Sequence, residues 1–415
     1  MEDLIPGAVE KWQWLERKAR TFFESRGYKE IRTPILEYTD LFVRSVGESS
    51  DIVHKEMFSF EDRGGRHVTM RPEMTASVAR SVIEKGLLTQ AKSLRFYYVG
   101  PMFRAERPQA GRKRQFHQIG IELLNESGPE ADMEAVAAIC DFMTFIGVKG
   151  LRLRVNDLGS ESDQTKTAEG LRNYFGQSKD RLCQDCQWRL EKNVLRIFDC
   201  KNGSCQPVID AAPWDEIAPL GGEFQTVAEA MTRRGIRYEI SRRLVRGLDY
   251  YNGLVFEAAS DALGAQDAVA GGGRYDRLYR DLGGAQVPCI GFSIGMERLL
   301  SVLEKQEGEG FWEREIREKT VYLALLDPQD SAVALRNRAG LDLCNRNFKV
   351  EMLARETSLS KHLKKANQLG LRFVVMIGPD EVNKNKLTVK DMTAKTQTEV
   401  EAGKIADYLE GVTLR

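Results

Sequence analysis

The chain has 415 residues, of which 42% are hydrophobic, so it is long enough to bury a substantial core in about two or three domains. Sixty-one lysine and arginine residues balance sixty-one aspartate and glutamate residues. This balance excludes a uniformly basic protein, and any surface that binds nucleic acid must come from local clustering of cations.

The first residues of the chain give no sign of export. The segment MEDLIPGAVEKW is polar and mixed in charge, and no later stretch approaches the roughly eighteen consecutive apolar residues of a membrane span. We therefore expect a cytoplasmic protein that does not associate with membranes. The seven cysteines, an odd number, then favour reduced thiols or a metal site over a disulfide framework.

The first predicted elements are a helix and a strand. Apolar residues recur at helical spacing over residues 8–26, and Gly27 supplies a stop before a strand predicted from Tyr28 to Thr33. From about 94 to 124, two apolar runs flank the polar segment RPQAGRKR. This pattern predicts a long antiparallel hairpin.

The predicted hairpin concentrates polar and charged side chains. Because successive strand residues face opposite sides, Arg104 shares a face with Met102 and Glu106. The returning strand presents Phe116, Gln118, Gly120 and Glu122 on one face, and the tip carries Arg107, Arg112, Lys113 and Arg114. These cations suit phosphate contacts, whereas cross-strand pairs on a solvated face and an ordinary charged turn are the alternatives.

The rest of the chain predicts an insertion and a separate C-terminal domain. After residue 158 a helical, cysteine-bearing stretch runs to about 235, and strand-like, glycine-rich segments then resume. Strand-like runs alternate with helical ones toward the C-terminus, which predicts a small α/β domain. We predict a main domain in two parts at 1–158 and 236–317, a helical insertion at 159–235 and a C-terminal domain at 318–415.

Five segments follow the order of a known set of motifs. The string VGPMFRAERPQAGRKRQFHQIGIE resembles the second signature motif of class II aminoacyl-tRNA synthetases in its histidyl form. LVRGLDYYNGLVFE and VAGGGRYDRL are similar to two histidine-specific motifs, and GFSIGMERLL to the third class II motif. YKEIRTPILEYTDLF with VTMRPEMTASVAR resembles the first motif and the amino-acid-binding loop after it. The resemblance to the histidyl-tRNA synthetase family extends from about residue 6 into the C-terminal domain.

This resemblance implies a fold and a reaction. The fold is multidomain, of α+β and α/β type: a class II antiparallel-sheet catalytic domain with a helical insertion, then an α/β anticodon-binding domain. The reaction is the ATP-dependent activation of L-histidine to histidyl-adenylate, with Mg²⁺, and transfer of histidine to the 3′ end of histidine tRNA. The first motif further implies a homodimer.

Adenylate formation joins two anions, a carboxylate and a phosphate, so fixed cations are required. By resemblance, Arg104 would bridge the α-phosphate and the histidine carboxylate, Arg246 would stabilise the same centre from the opposite side, and Arg298 would hold the γ-phosphate. The other implied ATP-binding residues are Glu106 and Phe116, which would contact adenine, and Arg112. Taken singly, Arg298 fits a helix surface equally well, and Phe116 fits core packing better than a ligand contact.

The imidazole of histidine offers one hydrogen-bond donor and one acceptor, for which the resemblance supplies Glu122 and Tyr251. The other implied histidine-binding residues are Glu73, Thr75 and Gln118 for the amino group, with Arg246, Tyr250 and Tyr275. Met74 stands where the family commonly has glycine, which puts the position of Glu73 and the role of Thr75 in doubt.

Contacts with transfer RNA are expected at two places. Gln109 and Arg112 resemble residues that read the end of the acceptor stem. In the C-terminal domain, SLSKHLKKANQLGLRFVVMIGPDE is similar to the family's anticodon-binding domain, and Lys361, Lys364 and Lys365 are candidates for phosphate contacts. A solvated basic helix face is the alternative for these lysines.

Four cysteines of the predicted insertion are grouped. Cys183 and Cys186 form a CxxC pair, and Cys200 and Cys205 follow with four residues between them. A structural Cys₄ zinc site is compatible with this spacing, but the second pair departs from CxxC, which favours reduced, partly buried thiols. Both alternatives stay open, and we assign no metal ligands. None of the four histidines has a metal-binding spacing, and structural roles are expected for them.

Two other functions fit parts of the sequence. An inert paralogue that serves as the regulatory subunit of ATP phosphoribosyltransferase would share the fold and the histidine pocket. Such regulators generally lack the C-terminal domain and lose key residues of the ATP and histidine motifs. This chain has the C-terminal domain and retains Arg104, Arg246 and Arg298. A nucleotide-binding oxidoreductase is suggested only by the run Gly271–Gly273, without a GxGxxG motif. We therefore expect an aminoacyl-tRNA ligase for histidine.

Overall fold

The computed structural model describes residues 3–47, 50, 52–106, 113–264, 267–312, 315, 319–353 and 358–413. Inter-residue contacts divide the chain into two compact units. Leu15–Gln306, with the residues before Pro6, belong to the first unit, and Pro6–Trp14 with the residues from Glu307 onward belong to the second. Each unit has its own sheet and its own buried core.

The helices alternate with strands along most of the chain. The helices are α1 (Val9–Ser25), α2 (Thr39–Val46), α3 (Thr75–Glu84), α4 (Leu87–Gln90), α5 (Gly128–Phe145), α6 (Glu161–Gly176), α7 (Gln184–Lys192), α8 (Gln206–Asp210), α9 (Trp214–Ile217), α10 (Gly222–Arg233), α11 (Leu278–Asp281), α12 (Met296–Glu307), α13 (Glu309–Trp312), α14 (Asp330–Asn345), α15 (Leu359–Gln368), α16 (Pro379–Lys384) and α17 (Ile405–Thr413). Within the described ranges, none of them combines the length and the apolar character needed to cross a membrane.

The strands are β1 (Lys29–Glu30), β2 (Leu36–Tyr38), β3 (Phe58–Glu61), β4 (His67–Met70), β5 (Leu94–Phe103), β6 (Gln115–Leu124), β7 (Arg152–Asp157), β8 (Tyr238–Ile240), β9 (Asn252–Ala259), β10 (Ala268–Arg274), β11 (Cys289–Gly295), β12 (Thr320–Leu325), β13 (Lys349–Met352), β14 (Phe373–Ile377), β15 (Lys386–Asp391) and β16 (Thr396–Glu401). Short 3₁₀ turns lie at Lys179–Arg181, Val194–Asp199, Asp261–Leu263 and Ala402–Lys404, and a π-helical turn lies at Ile52–Glu56.

The main sheet of the first unit has the strand order β1-β5-β6-β11-β10-β9-β7-β8 among the described residues. Its neighbours are antiparallel except for β1 with β5 and β7 with β8. Strands β5 and β6 form the predicted hairpin, with Tyr98 opposite Gly120 and Met102 opposite Phe116. The sequence expectation of a large antiparallel sheet is therefore confirmed.

Helices α1 and α5 cover one face of this sheet. The ring of Phe23 on α1 lies 5.1 Å from that of Phe142 on α5 and 6.3 Å from that of Phe292 on β11. The apolar periodicity predicted a helix over 8–26, and α1 matches it. Because side chains alternate along β11, Ser293 projects from the opposite face, which these two helices leave available for a site.

One predicted strand is much shorter than expected. The sequence predicted a strand over Tyr28–Thr33, whereas β1 contains only Lys29 and Glu30. The guanidinium of Arg71 donates to the carbonyl oxygens of Thr33, at 2.8 Å, and Pro34, at 3.3 Å. These carbonyls accept from a side chain and not from a neighbouring strand, and Pro34 has no N–H to donate to one.

The second unit carries the predicted alternation of strands and helices. Its sheet has the order β13-β12-β14-β15-β16 among the described residues. Strand β12 is parallel to both of its neighbours, and β15 is antiparallel to both of its neighbours. The sequence did not predict β16, because TQTEVE has little apolar alternation and is mostly exposed at the sheet edge. On α15, His362 is buried between the hydroxyl of Tyr322, at 2.9 Å, and the carbonyl of Leu325, at 3.0 Å, which is the structural role expected for it.

A buried ion pair joins the main sheet to α5. Arg274, at the end of β10, donates from Nη2 to the Asp132 carboxylate at 2.6 Å and from Nε at 2.9 Å. The two residues are only 7% and 6% exposed. Burial raises the pKa of Asp132 to about 6, and Arg274 opposes that rise. Arg274 also pairs with Asp276 at 3.2 Å, so removing Arg274 is the change that leaves a buried carboxylate without its cation.

We predict that Arg274→Ala destabilises the first unit by roughly 3–5 kcal/mol, because Asp132 then stays buried without its cation. Urea unfolding followed by tryptophan fluorescence measures the change. The double variant Arg274→Met/Asp132→Leu should recover most of the loss. Arg280→Ala, at an exposed pair with Glu161, is the control and should shift the midpoint little. An Arg274→Ala midpoint equal to that of the wild type would contradict this account.

Candidate active site

Glycines line the face of the main sheet opposite α1 and α5. Gly120 on β6 lies opposite Ser293 on β11, and Ser293 lies opposite Gly271 on β10. In the adjoining rows this face carries Gly100, Gly273, Gly291 and Gly295. Because a glycine has no Cβ, other groups can lie directly against the sheet backbone at each of these positions.

Two of the predicted site residues occupy the space that these glycines leave. A Cβ added at Gly271 would come closer than 3.0 Å to the guanidinium of Arg246. A Cβ added at Gly291 would collide with the carboxylate of Glu122 in the same way. The glycine-lined face thus holds an arginine and a carboxylate flat against the sheet.

Two buried carboxylates meet at the start of α3. The hydroxyl of Thr75 donates to Glu122 Oε1 at 2.7 Å, and the Tyr275 hydroxyl donates to Glu122 Oε2. The backbone N–H groups of Thr75 and Ala76 donate to the Glu73 carboxylate at 2.6 and 2.9 Å. Thr75 therefore links both carboxylates into one polar pocket.

Tyrosine rings enclose this pocket. The rings of Tyr250 and Tyr251 have centroids 4.7 Å apart, and those of Tyr250 and Tyr275 lie 5.7 Å apart. All three are buried and belong to one hydrophobic cluster with Val78 and Leu278. The structure thus brings together the pocket-wall residues that the sequence proposed.

Burial controls the charge of the pocket. It raises the pKa of Glu122 to about 8, while the hydrogen bonds from Tyr275 and Thr75 lower it and the neighbouring Glu73 raises it. Burial also raises the pKa of Glu73, against the N–H groups of Ala76 and Thr75. Two buried carboxylates with raised pKa values favour a bound cation or N–H donor, because such a partner stabilises their ionised forms.

Arg246 lies in the segment between β8 and β9. Its Nη1 donates to Glu257 on β9 at 3.3 Å, and Glu257 also accepts from Arg154 Nη1 at 3.2 Å. Glu257 is paired with Gly271 across the sheet. The Nε–H of Arg246 is buried and has no hydrogen-bond partner among the residues that the structure describes. This guanidinium is oriented by a carboxylate and keeps a donor for an anion.

The other two predicted catalytic arginines lie at strand ends. Arg104 directly follows β5; its Nε donates to the carbonyl of Pro72 at 3.0 Å, and its guanidinium lies 5.2 Å from the Phe116 ring centre. Arg298 lies in the first turn of α12, directly after β11, and its Nε donates to the carbonyl of Ala268 at 2.6 Å. A backbone carbonyl thus accepts a hydrogen bond from the Nε of each of these two arginines.

Met74 does not displace its neighbours. Its backbone has φ −100° and ψ −29°, which any residue adopts, and its side chain is buried in the core of the first unit. The hydroxyl of Thr33 donates to its sulfur at 3.2 Å. Because the side chain points into this core, Glu73 and Thr75 keep the contacts described above.

The remaining predicted residues have different surroundings. The amide nitrogen of Gln118 donates to the Ser293 hydroxyl at 3.1 Å, and its buried Oε1 has no hydrogen-bond partner in the described part of the chain. Glu106 lies with its carboxylate 4.0 Å from Arg104. Gln109 and Arg112, assigned to tRNA and ATP contacts, lie outside the described residues.

Sequence reasoning missed two residues that shape this face. Tyr98 is fully buried, lies opposite Gly120 and fills the space that a Cβ there would need. Glu257 orients Arg246. Alternation along β5 and β9 shows which residues of each strand share a face, but not whether that face is the one lined by glycines. Only the cross-strand register decides this, because a shift by one residue moves every side chain to the other face.

Comparison with known proteins gives consistent matches along the chain. A family model described as "Histidyl-tRNA synthetase" matches residues 1–160 and 209–299, and one described as "Anticodon binding domain" matches residues 320–411. A histidine–tRNA ligase of Halothermothrix orenii is 39% identical over 98% of this chain and 97% of its own length. The histidine–tRNA ligase of Fervidobacterium nodosum is 42% identical over 96% and 94%.

A solved structure extends the likeness to three dimensions. Apo histidyl-tRNA synthetase of S. aureus aligns with a TM-score of 0.74 and 30% identity, covering 99% of this chain and 98% of that one. The fold is therefore that of an aminoacyl-tRNA synthetase with an anticodon-binding domain. The chain belongs to the histidyl-tRNA synthetase family.

We predict that Glu122 makes the stability of the protein fall as the pH rises. Its pKa is raised by burial, so the stability it contributes is fully present below its ordinary pKa and is lost as the pH rises through about 8. Glu122→Gln should flatten the decline of the thermal midpoint between about pH 5 and about pH 9. The exposed Glu61→Gln serves as the control and should keep the wild-type slope. An equally steep decline in Glu122→Gln would refute the assignment.

Proposed function

We propose that this chain catalyses the ATP-dependent activation of L-histidine to histidyl-adenylate and then transfers histidine to the 3′ end of histidine tRNA. The observation that carries the proposal is the glycine-lined face of the main sheet, on which Arg246 lies beside a pocket containing Glu122, Glu73 and Thr75. Curated relatives of similar length that bear the name histidine–tRNA ligase support it.

The pocket chemistry fits histidine. Glu122 accepts a hydrogen bond from one imidazole nitrogen, and the Tyr251 hydroxyl serves the other. Glu73 and Gln118 receive the charged amino group, which lowers the pKa that burial raises in Glu73. A side chain without both ring nitrogens leaves buried polar groups unpaired, which lowers its selection by about 10⁴-fold.

The arginines fit the activation step. An oxygen of the histidine carboxylate attacks the α-phosphorus of ATP, the bond to the bridging oxygen breaks, and pyrophosphate leaves with its electron pair. Arg104 and Arg246 offset the charge at the α-phosphate, and Arg298 holds the γ-phosphate. Phe116 stacks on adenine, with Glu106 at its amino group and Arg112 as a further ATP contact.

Mg²⁺ is proposed to accompany ATP. Glu257 offers carboxylate oxygens on the glycine-lined face, and oxygen donors suit this cation. When bound, the ion offsets phosphate charge.

Transfer RNA is proposed to contact both units. Its terminal ribose hydroxyl attacks the adenylate carbonyl and releases AMP, with Gln109 and Arg112 placed at the acceptor end. Lys361 and Lys364 are exposed on α15, and with the half-buried Lys365 they suit phosphate contacts near the anticodon. We also propose that the domains of this enzyme meet near residues 158, 235 and 317 and that it acts in the cytoplasm.

The regulatory paralogue is less well supported. The chain retains Arg104, Arg246 and Arg298, and residues 320–411 match the anticodon-binding family model. Both features suit an enzyme that binds tRNA.

We predict histidine-dependent exchange of labelled pyrophosphate into ATP, with no exchange for the other amino acids. Arg246→Ala should lose roughly 100-fold or more in rate, in line with about 3 kcal/mol for a lost transition-state donor. Gly271→Ala should also lose activity, because its Cβ displaces the Arg246 guanidinium.

Matched controls accompany these variants. Gly176→Ala, where a Cβ meets nothing within 4 Å, and the exposed Arg233→Ala should exchange at the wild-type rate. If the folded wild type shows no exchange with histidine, the ligase proposal fails and the regulatory paralogue becomes the leading account.

We propose that the chain forms a homodimer through the region of the first motif. Tyr38 on β2 and Phe60 on β3 both pair with Val68 on β4, so they share one face of a three-stranded sheet. They are 57% and 49% exposed, and Ile35 and Leu36 nearby are also exposed. Adjacent exposed apolar side chains of this kind favour a protein interface.

We predict that Tyr38→Asp increases the monomer fraction measured by light scattering after size exclusion, because it places a charge in this apolar interface. Leu341→Asp introduces the same charge at an exposed leucine of α14 and should leave the mass unchanged. A wild type that is monomeric, or a Tyr38→Asp protein that dimerises as strongly, would refute the proposed interface.

A further inference from the structure

Four cysteine sulfurs converge in the helical stretch between β7 and β8. The Sγ atoms of Cys183, Cys186, Cys200 and Cys205 all lie within 4.8 Å of one another, and those of Cys183 and Cys200 are 3.8 Å apart. In a tetrahedral zinc tetrathiolate with Zn–S bonds of about 2.3 Å, the sulfurs lie about 3.8 Å apart. The sulfurs are therefore at, or within about 1 Å of, the separation that a zinc ion imposes.

The backbone around the sulfurs has donors for thiolates. The N–H of Cys183 donates to Cys205 Sγ at 3.1 Å, and the N–H of Asn202 donates to Cys200 Sγ at 3.3 Å. Hydrogen bonds onto ligand sulfurs offset the negative charge of four thiolates and orient them. The sulfur positions are thus supported by contacts that also suit a metal-bound state.

A turn between Cys200 and Cys205 compensates for the four residues that separate this second cysteine pair. Asn202 Oδ1 accepts from the N–H and the hydroxyl of Ser204 at 3.0 and 2.9 Å, and the Gln206 amide donates to the carbonyl of Cys200 at 2.6 Å. These bonds fold the chain back between Cys200 and Cys205. Cys205 therefore reaches the other three sulfurs despite the four intervening residues, whose number had favoured reduced thiols over a metal site in the sequence.

The surroundings suit a structural site. Cys186 and Cys205 are fully buried, and Cys200 is nearly so, in a small core with Phe175, Leu190 and other apolar residues of this stretch. A core built from fewer than about 70–80 residues is often too small to stabilise a fold by itself, and metal ions commonly supplement it. A cross-link at this cluster would join α7, the Val194–Asp199 turn and α8.

We propose that Cys183, Cys186, Cys200 and Cys205 bind one Zn²⁺ ion as four thiolates. Thiolate ligands select zinc over hard cations, and four protein ligands fill the tetrahedral coordination sphere, so the site is structural rather than catalytic. This inference replaces the expectation of free thiols and does not depend on the proposed ligase activity.

The residues between the two cysteine pairs also form hydrogen bonds with a loop of the candidate active site. Asn193 donates to Asp249 Oδ1 at 2.9 Å, and Arg196 donates to the carbonyl of Gly247 at 3.0 Å. Both acceptors lie close in sequence to Arg246, and Arg196 is itself buried. Zinc therefore acts as a positioning element for this loop, without contacting the substrates.

The test is the metal content of the full chain, purified reduced and without a metal-affinity step. Elemental mass spectrometry should find about one zinc per chain. Exchange with Co²⁺ should give the visible bands of a tetrahedral tetrathiolate site. Cys205→Ser should lose the metal and the bands, and Cys344→Ser, at an exposed cysteine outside the cluster, should keep both. Hydrogen exchange of residues 244–251 should quicken when zinc is removed.

The wild type alone decides the proposal if Cys205→Ser does not fold. Cys205→His supplies an imidazole in place of a thiolate and should retain metal with shifted cobalt bands. A reduced wild type that holds no zinc and gives no cobalt bands overturns the proposal. Bound iron instead of zinc, or the mass loss of a disulfide between any two of the four cysteines, also overturns it.

Discussion

The candidate site depends on the close approach of side chains to the backbone of the main sheet. Gly271 and Gly291 lie on neighbouring strands, two residues apart in register, and at each of them a Cβ would collide with a side chain of the site. Arg246 lies over one and Glu122 over the other. A glycine in a strand weakens the strand, so glycines on one face of a central sheet indicate that the face serves contacts other than core packing.

The opposite face of the sheet provides the stability that this arrangement requires. Phe23, Phe142 and Phe292 pack between the sheet and helices α1 and α5. The Arg274–Asp132 pair joins the end of β10 to α5 in the same region. A well-packed face allows the other to carry polar groups and to remain open, because the strands are already fixed.

Electrostatics divides the site into two parts. The pocket with Glu73 and Glu122 is buried and acidic, and burial raises both pKa values. Arg104, Arg246 and Arg298 carry the positive charge, and each donates a hydrogen bond to a carbonyl or a carboxylate. Such an arrangement suits a ligand that is cationic at one end and anionic at the other, as an amino acid joined to a phosphate is. The stretch that contains the four clustered cysteines, for which we propose a zinc ion, contacts a neighbouring loop through Asn193 and Arg196.

The sequence by itself determined the elements whose patterns are local. The periodicity of α1, the β5–β6 hairpin and the alternation in the C-terminal unit follow from side-chain order, and the motifs pointed to the family. It did not determine the length of β1, which Arg71 limits from a distance, or the roles of Tyr98 and Glu257, which depend on register. The meeting of Cys205 with Cys183, whose N–H donates to the Cys205 sulfur, was likewise decided by the tertiary structure. Tertiary structure decided these features because each one requires two segments distant in the chain to meet, and no local pattern encodes that meeting.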